Sequence, residues 1–342
     1  MRIVIFEVEP WERPAFDPLL ADHEVTFTEE PLTAENAAAY RDAEIISVFI
    51  YSAPDRAVLE QFKDLRLVST RSTGYDHIDL DACDEAGIMV CNVPSYGEHT
   101  VAEHVFGLLL TISHNLWNAI DRTRKGDFSL EGLRGFDLMG KTMGVVGTGA
   151  IGRHVVRIAR GFGMHVLATD LHEDEAFARE YDFRYVPLND LLSHSDVISL
   201  NVPLNDRTKH MIGAEQFDLM KDHVVIINTS RGALIDIKAM VAALADGTIG
   251  AAGLDVLPAE PVIREEAELL RSAFRAEHDL ETLLADHILL RLRNVYITPH
   301  SAFDTEEAVR RILEVTVENI QGFLADSPVH VVNEAVPEQR VS

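Results

Sequence analysis

"VVGTGAIGRHVVRIARGFGMHVLATD" occupies Val145 to Asp170, and its reading decides the fold. Gly147, Gly149 and Gly152 form G-x-G-x-x-G, and Asp170 stands 18 residues after the last glycine. Thr142 to Val146 is short and apolar, as a buried strand should be. Beyond the glycines, Ile151, Val155, Val156, Ile158 and Ala159 recur at helical spacing. His165 to Thr169 then reads as a second strand ending at Asp170. This strand-helix-strand context separates a dinucleotide fingerprint from a chance glycine pattern. Gly147 permits the tight turn, Gly149 lets backbone approach a pyrophosphate, and Gly152 lets helix and strand pack closely. The pyrophosphate would sit at the positive end of the helix, over Ala150 and Ile151. Asp170 would accept from ribose hydroxyls and repel a 2′-phosphate. Leu171 and His172 follow it rather than arginine, which favours NAD over NADP.

Working outward, strands and helices alternate on both sides. Ile3–Phe6, Glu24–Phe27, Ile45–Phe49, Leu67–Thr70 and Ile88–Asn92 read as strands, with helical stretches such as Ala34–Arg41 and Arg56–Lys63 between them. That pattern predicts a parallel α/β domain. Glu98–Lys125 reads as one long helix with an apolar middle, hence one buried either between domains or in a subunit interface. A second alternation supplies Thr142–Val146, His165–Thr169, Val197–Leu200, Val224–Asn228, Gly253–Val256 and Val295–Thr298, enough for a doubly wound sheet. Thr305–Leu324 reads as a helix returning to the first domain. The expected division is therefore a discontinuous domain of residues 1–100 and 302–342 around a second of residues 101–301. Pro261–Arg293 is long, charged and helix-forming, a surface excursion or a lid or subunit contact.

The 342 residues suit two domains, and 47% apolar with 25% charged residues is an ordinary globular composition. Formal net charge is −26, which disfavours binding to nucleic acid or an anionic membrane. The longest apolar run, Val105–Ile112, is too short to span a bilayer. No leader is visible after Met1, and Cys83 and Cys91 suggest no disulfide framework, so a cytoplasmic setting is expected. Only 6 of the 30 basic residues are lysine, which fits either a high-salt habitat or a mildly acidic protein from a GC-rich genome.

Polar groups recur at the expected carboxyl ends of second-domain strands, where open α/β sheets bind ligands. Arg231 follows one strand, Asp255 ends another with Glu260 five residues on, and His300 follows the last. Each alone is weak evidence. Together beside a nicotinamide they suggest reduction of a 2-keto acid. Arginine grips a carboxylate bidentately and polarises the adjacent carbonyl. Histidine protonates the carbonyl oxygen, and glutamate orients the imidazole and raises its pKa. No metal-ligand spacing, G-x-S-x-G elbow or Walker A loop competes.

The chain resembles the D-isomer-specific 2-hydroxyacid dehydrogenases, most closely their D-lactate dehydrogenase branch. The stretches that carry this are "RSTGYDHIDL", "VPSYGEHTVAEH", "FSLEGLRGFDLMGKTMGVVGTGAIG", "VPLNDRTKHMI", "MKDHVVIINTSRGALID", "GLDV" and "TPHSAFDTEEAV". The resemblance implies two Rossmann-like domains with the active site in the cleft between them. The 101–301 domain would bind NAD and the discontinuous domain the substrate. It implies Arg231 on the substrate carboxylate, His300 as acid/base and Glu260 as its support. It implies NAD contacts from Ala150, Ile151, Asp170, Val202, Pro203, Thr208, Thr229, Ser230, Arg231 and Asp255. It also implies substrate contacts from the Ser72-Thr73-Gly74 backbone and from Tyr96, and a homodimer built largely on the long helix. Phe49, Tyr51 and Phe303 are candidates for the side-chain pocket, against plain core packing.

Departures concern the substrate. His300-Ser301-Ala302-Phe303 stands where the lactate branch has His-Gln-Ala-Phe, and Glu260-Pro261 is closer to the wider family. Hydroxypyruvate, glyoxylate or phosphoglycerate remain alternatives to a pyruvate-like acid. A non-catalytic NAD-sensing scaffold is the other class, disfavoured by the intact Arg, Glu and His set.

Overall fold

The computed structural model describes residues 1–258, 285 and 287–334. The chain divides into two compact units, Met1–Tyr96 with the chain from Thr305 onward, and Gly97–Asp304.

The first unit holds a five-stranded parallel sheet: β1 (Arg2–Ile5), β2 (Glu24–Phe27), β3 (Ile45–Val48), β4 (Leu67–Thr70) and β5 (Met89–Cys91), in the order β2-β1-β3-β4-β5. That order reverses between β1 and β3, and ligands of open α/β sheets collect at such a switch point. β3 and β4 are buried throughout, which is why they lack the polar alternation of a one-sided sheet. Helix Glu306–Leu324 returns to this unit. Thr305 caps it by accepting from the Ala308 amide, and Val309, Ile312, Leu313, Val317, Ile320 and Phe323 form its buried stripe. Each buried aliphatic side chain of that stripe contributes about 1.5–3 kcal/mol through removal from water.

The second unit holds seven parallel strands: β6 (Thr142–Val146), β7 (His165–Thr169), β8 (Arg184–Tyr185), β9 (Val197–Leu200), β10 (Val224–Asn228), β11 (Ile249–Leu254) and β12 (Val295–Ile297). Their order is β12-β11-β10-β9-β6-β7-β8, with the switch point between β6 and β9. Two sequence expectations shift here. β11 starts and ends earlier than Gly253–Val256. The long helix is two: Glu98–Ser113, with its apolar face buried, and Leu116–Arg124, which buries none of its residues. Asn115 breaks it in a left-handed conformation (φ 49°), a geometry asparagine tolerates better than most residues. The chain at Gly135-Phe136 docks at the break, where the Phe136 amide donates to the Ser113 carbonyl at 2.9 Å. A Cβ on Gly135 would lie 1.8 Å from that carbonyl oxygen, so only glycine admits the contact.

Candidate active site

The carboxyl edge of the seven-stranded sheet carries, in spatial order, the residues after β12, β11, β10, β9, β6 and β7. Those are His300, Asp255, Thr229 to Arg231, Val202 to Thr208, the glycine turn and Asp170. Parallel pairing therefore collects on one edge residues spread over 150 positions of sequence.

The glycine turn sits at the switch point. Gly147 has φ 91°, and a Cβ there would lie 2.6 Å from the Asn201 carbonyl oxygen. A Cβ on Gly152 would lie 2.0 Å from the Gly147 carbonyl oxygen, so the helix Ala150–Gly161 approaches the turn closely only with glycine there. Gly149 faces open space, with nothing within 4 Å of where a Cβ would stand. That leaves an uncovered cradle at the positive end of a 12-residue helix.

Asp170 ties the glycine turn to the end of β7. Its Oδ2 accepts from the Thr148 amide at 2.6 Å and the Thr148 hydroxyl at 3.0 Å, and its Oδ1 from the His172 amide at 2.9 Å. Burial works against the charge, but these donors outweigh it and hold the carboxyl below its ordinary range. The nearby cation on the same helix, Arg153, is paired with Asp174 at 2.6 Å. Thr148 completes the site without having been singled out in the sequence, and its position between two motif glycines was the available signal.

After β10 the chain is locked by its own polar groups. Asn228 accepts from the Ser230 amide at 3.0 Å and donates to the Arg231 carbonyl at 2.9 Å, and the Ser230 hydroxyl donates to the Leu200 carbonyl at 2.8 Å. Arg231 is half-buried, with one guanidinium nitrogen donating to the Ser230 carbonyl at 2.9 Å. The Thr229 hydroxyl is buried with no protein partner among the described residues, which fits a site where a ligand supplies the partner. After β9, the Thr208 hydroxyl donates to the Pro203 carbonyl at 2.6 Å and closes the Val202–Thr208 turn.

His300 is half-buried and left-handed (φ 54°), its amide donating to the Thr298 carbonyl at 2.9 Å. The buried Asp255 carboxylate fixes this loop. Oδ1 accepts from the Thr298 hydroxyl at 2.5 Å and the Ser301 amide at 2.9 Å, and Oδ2 from the Ala302 amide at 2.9 Å. His104 Nε2 lies 3.0 Å from the Thr298 hydroxyl and 3.5 Å from Asp255. His104 belongs to the "VAEH" stretch, which carried the resemblance without a role for this residue. Glu260 lies outside the described residues, as does most of Pro261–Arg293.

In the first unit the carboxyl edge carries Ser72, Thr73, Gly74 and Tyr96. The Ser72 hydroxyl donates to the Gly74 carbonyl at 2.6 Å, the Thr73 hydroxyl to the Val93 carbonyl at 2.7 Å, and Asn92 to the Thr73 carbonyl at 2.8 Å. Tyr96 is half-buried, its carbonyl accepting from Arg311 at 2.5 Å.

Comparison with known proteins identifies the family. The family model for the D-isomer specific 2-hydroxyacid dehydrogenase NAD binding domain matches residues 106–302, more than half of the chain. The chain belongs to that family. It is 38% identical over 327 residues to a 2-hydroxyacid dehydrogenase homolog of Haemophilus influenzae, covering 94% of this chain and 95% of the relative. It is 39% identical over 302 residues to the D-lactate dehydrogenase of Escherichia coli, covering 87% and 88%. The structure of a D-lactate dehydrogenase from Aquifex aeolicus, complexed with NAD and lactic acid, superposes with a TM-score of 0.83 at 35% identity, covering 95% and 96%. This dehydrogenase is thus an NAD-dependent oxidoreductase acting on CH–OH donors. Among the described residues, no helix is long and apolar enough to cross a membrane.

Proposed function

We propose that this dehydrogenase interconverts a small pyruvate-like 2-keto acid and its D-2-hydroxy acid, with Arg231 and His300 doing the chemistry. Bound NADH supplies the hydride for the carbonyl carbon. Arg231 binds the substrate carboxylate through two parallel N–H donors and polarises the neighbouring carbonyl. His300 delivers a proton to the carbonyl oxygen as the alcohol forms, and takes it back in oxidation. Glu260 is assigned to the second imidazole nitrogen, holding the ring and favouring its protonated form. Ser72 to Gly74 and Tyr96 are assigned to the substrate from the first unit, and Phe49, Tyr51 and Phe303 to the wall around its side chain.

One observation carries most weight: a buried carboxylate, Asp255, accepts three hydrogen bonds from the loop that carries His300. A surface histidine needs no such scaffold, while a proton donor does. For NAD, support comes from the open cradle at Gly149, the unpartnered Thr229 hydroxyl and the Asp170 carboxylate. The relatives' names, D-lactate dehydrogenase among them, favour a short side chain on the substrate. Two buried thiols, Cys83 and Cys91, suit the cytoplasm.

A homodimer is part of this reading. Helix Leu116–Arg124 exposes Trp117 (61%) and Ile120 (51%), and Phe128 and Leu130 beyond it are also exposed. Exposed apolar side chains of this size suit a surface that a second copy covers. Trp117→Glu with Ile120→Glu should yield a monomer by light scattering. A wild type that is itself monomeric sinks the dimer.

The test of the reaction is NADH oxidation with pyruvate, phenylpyruvate, 2-ketoisocaproate, hydroxypyruvate and glyoxylate. Pyruvate should be turned over well. His300→Ala should lose about 10²–10⁴-fold in kcat while NADH still binds. Near-normal turnover by that variant would refute the mechanism.

A further inference from the structure

The first unit carries a partly buried charged network that the proposed reaction does not use. It stands at the switch point of the five-stranded sheet, between the ends of β1 and β3. Glu7, two residues past β1, accepts from four donors of one loop that follows β3. Oε2 takes the Phe49 amide at 2.9 Å and the Ser52 amide at 3.1 Å, and also the Ser52 hydroxyl. Oε1 takes the Tyr51 amide at 2.8 Å. Ser52 is buried, and its hydroxyl also accepts from the Leu32 amide at 2.9 Å. From β4, the buried Arg71 donates to the carbonyl oxygens of Phe6 at 2.8 Å and Glu7 at 2.6 Å. The Arg71 guanidinium carbon also lies 5.6 Å from the Phe49 ring centre.

Two features argue that this network does more than fill the core. Glu7 is left-handed (φ 50°), a conformation that disfavours any residue with a Cβ. Glycine would relieve it, but only a carboxylate could gather the loop's donors. The charge is also expensive to bury: burial pushes the Glu7 carboxyl up, against the opposing pull of Ser52, Phe49 and Arg71. Strain and a converging set of hydrogen bonds held together at the carboxyl edge of a sheet mark a loop whose exact placement matters.

We infer that Glu7 is a positioning residue for substrate selectivity, fixing the Phe49–Ser52 loop as the wall against which the 2-keto acid's side chain is measured. This rests on the assignment of Phe49 and Tyr51 to the side-chain pocket. Glu7 touches no substrate. It acts by converging three backbone amides and a hydroxyl on one carboxylate, with Arg71 clamping the backbone from which that carboxylate extends. Loosening the wall relaxes discrimination by side-chain size while leaving hydride and proton transfer intact.

The experiment measures kcat and KM for pyruvate, 2-ketobutyrate, 2-ketoisocaproate and phenylpyruvate in wild type, Glu7→Gln, Ser52→Ala, Phe49→Ala and Tyr51→Ala. NADH affinity and thermal unfolding are measured alongside. Glutamine keeps the size but turns one acceptor into a donor facing the amides. Glu7→Gln should change the pyruvate-to-phenylpyruvate ratio of kcat/KM by about tenfold, the scale at which an apolar pocket discriminates. The change should lie in KM, with saturating kcat and NADH affinity little altered. Ser52→Ala, which removes one donor and leaves Glu7 and Arg71 in place, should shift the ratio the same way by less, and it serves if Glu7→Gln does not fold. If Phe49→Ala or Tyr51→Ala moves the ratio while the Glu7 and Ser52 variants do not, the positioning role is wrong and the wall stands. If neither Phe49→Ala nor Tyr51→Ala moves it, the wall itself is wrong and the proposal falls with it.

Discussion

The two sheet edges solve one problem in opposite ways. Each places a left-handed, non-glycine residue just past a strand, Glu7 in the first unit and His300 in the second. Each uses a carboxylate, half-buried at Glu7 and buried at Asp255, to fix a loop from a different strand. In the first unit the strained residue is itself the tether: Glu7 reaches out and gathers Phe49, Tyr51 and Ser52. In the second the strained residue is what the tether serves: Asp255 holds Thr298, Ser301 and Ala302 on either side of His300. A group that must gain and lose a proton cannot also be saturated with structural hydrogen bonds. On the role proposed for His300 the work is therefore divided, a neighbour's carboxylate fixing the backbone that carries the imidazole. Where no proton moves, one residue does both.

The largest effect should come from cutting the second tether. Asp255→Asn leaves one acceptor position as a donor against an amide or hydroxyl, and the His300 loop shifts. A misplacement of about 1 Å in a catalytic group costs on the order of 10²-fold, so kcat should fall by about that factor with NADH affinity nearly kept. A weakened NADH affinity at normal kcat would instead mean that Asp255 acts on the cofactor, and the comparison with Glu7 would fail. A smaller effect is expected at Asp170, a third carboxylate, which ties Thr148 of the glycine turn. Asp170→Ala should narrow the preference for NADH over NADPH by about tenfold, an energy of about 1.4 kcal/mol. Preference unchanged, with NADH affinity lowered, would make Asp170 only a turn tether.

The smallest effect separates the tethers by sign. The Glu7 carboxyl is raised, so the folded protein holds its proton more tightly than the unfolded chain. Its contribution to stability then falls as pH rises from the ordinary 4.5 through the raised value. The Asp170 carboxyl is lowered, so its contribution is present above the ordinary 3.8 and is lost as pH falls through the lowered value. Melting curves of Glu7→Gln and Asp170→Asn against wild type should therefore diverge in opposite directions across the acid range, by a few degrees at most. Parallel curves would show that the two carboxylates are held alike.

Much of this was legible in the chain. The fingerprint around Gly147, Gly149 and Gly152 gave the second sheet, because glycine needs and strand–helix periodicity are local. The placement of Arg231 and His300 at one sheet edge was legible because parallel topology sends every strand's carboxyl end to that edge. The tethers were not. Glu7 meets partners 42 to 45 residues away and Asp255 partners 43 to 47 away, and no periodicity records such pairings. The break at Asn115 escaped for another reason. Apolar spacing continues across it, and the conformation is fixed by the docking of Gly135 and Phe136 from outside the helix.

The left-handed backbone at His300 sets fitness for heat and fitness for turnover against each other at a single codon. Glycine would occupy that position without the penalty of about 1–2 kcal/mol that a Cβ carries there. A population selected only for thermal endurance would drift toward glycine at 300, gaining robustness as it lost the proposed proton donor. On that assignment, histidine stands at this position against the preference of its own backbone, and turnover is what weighs on the other side.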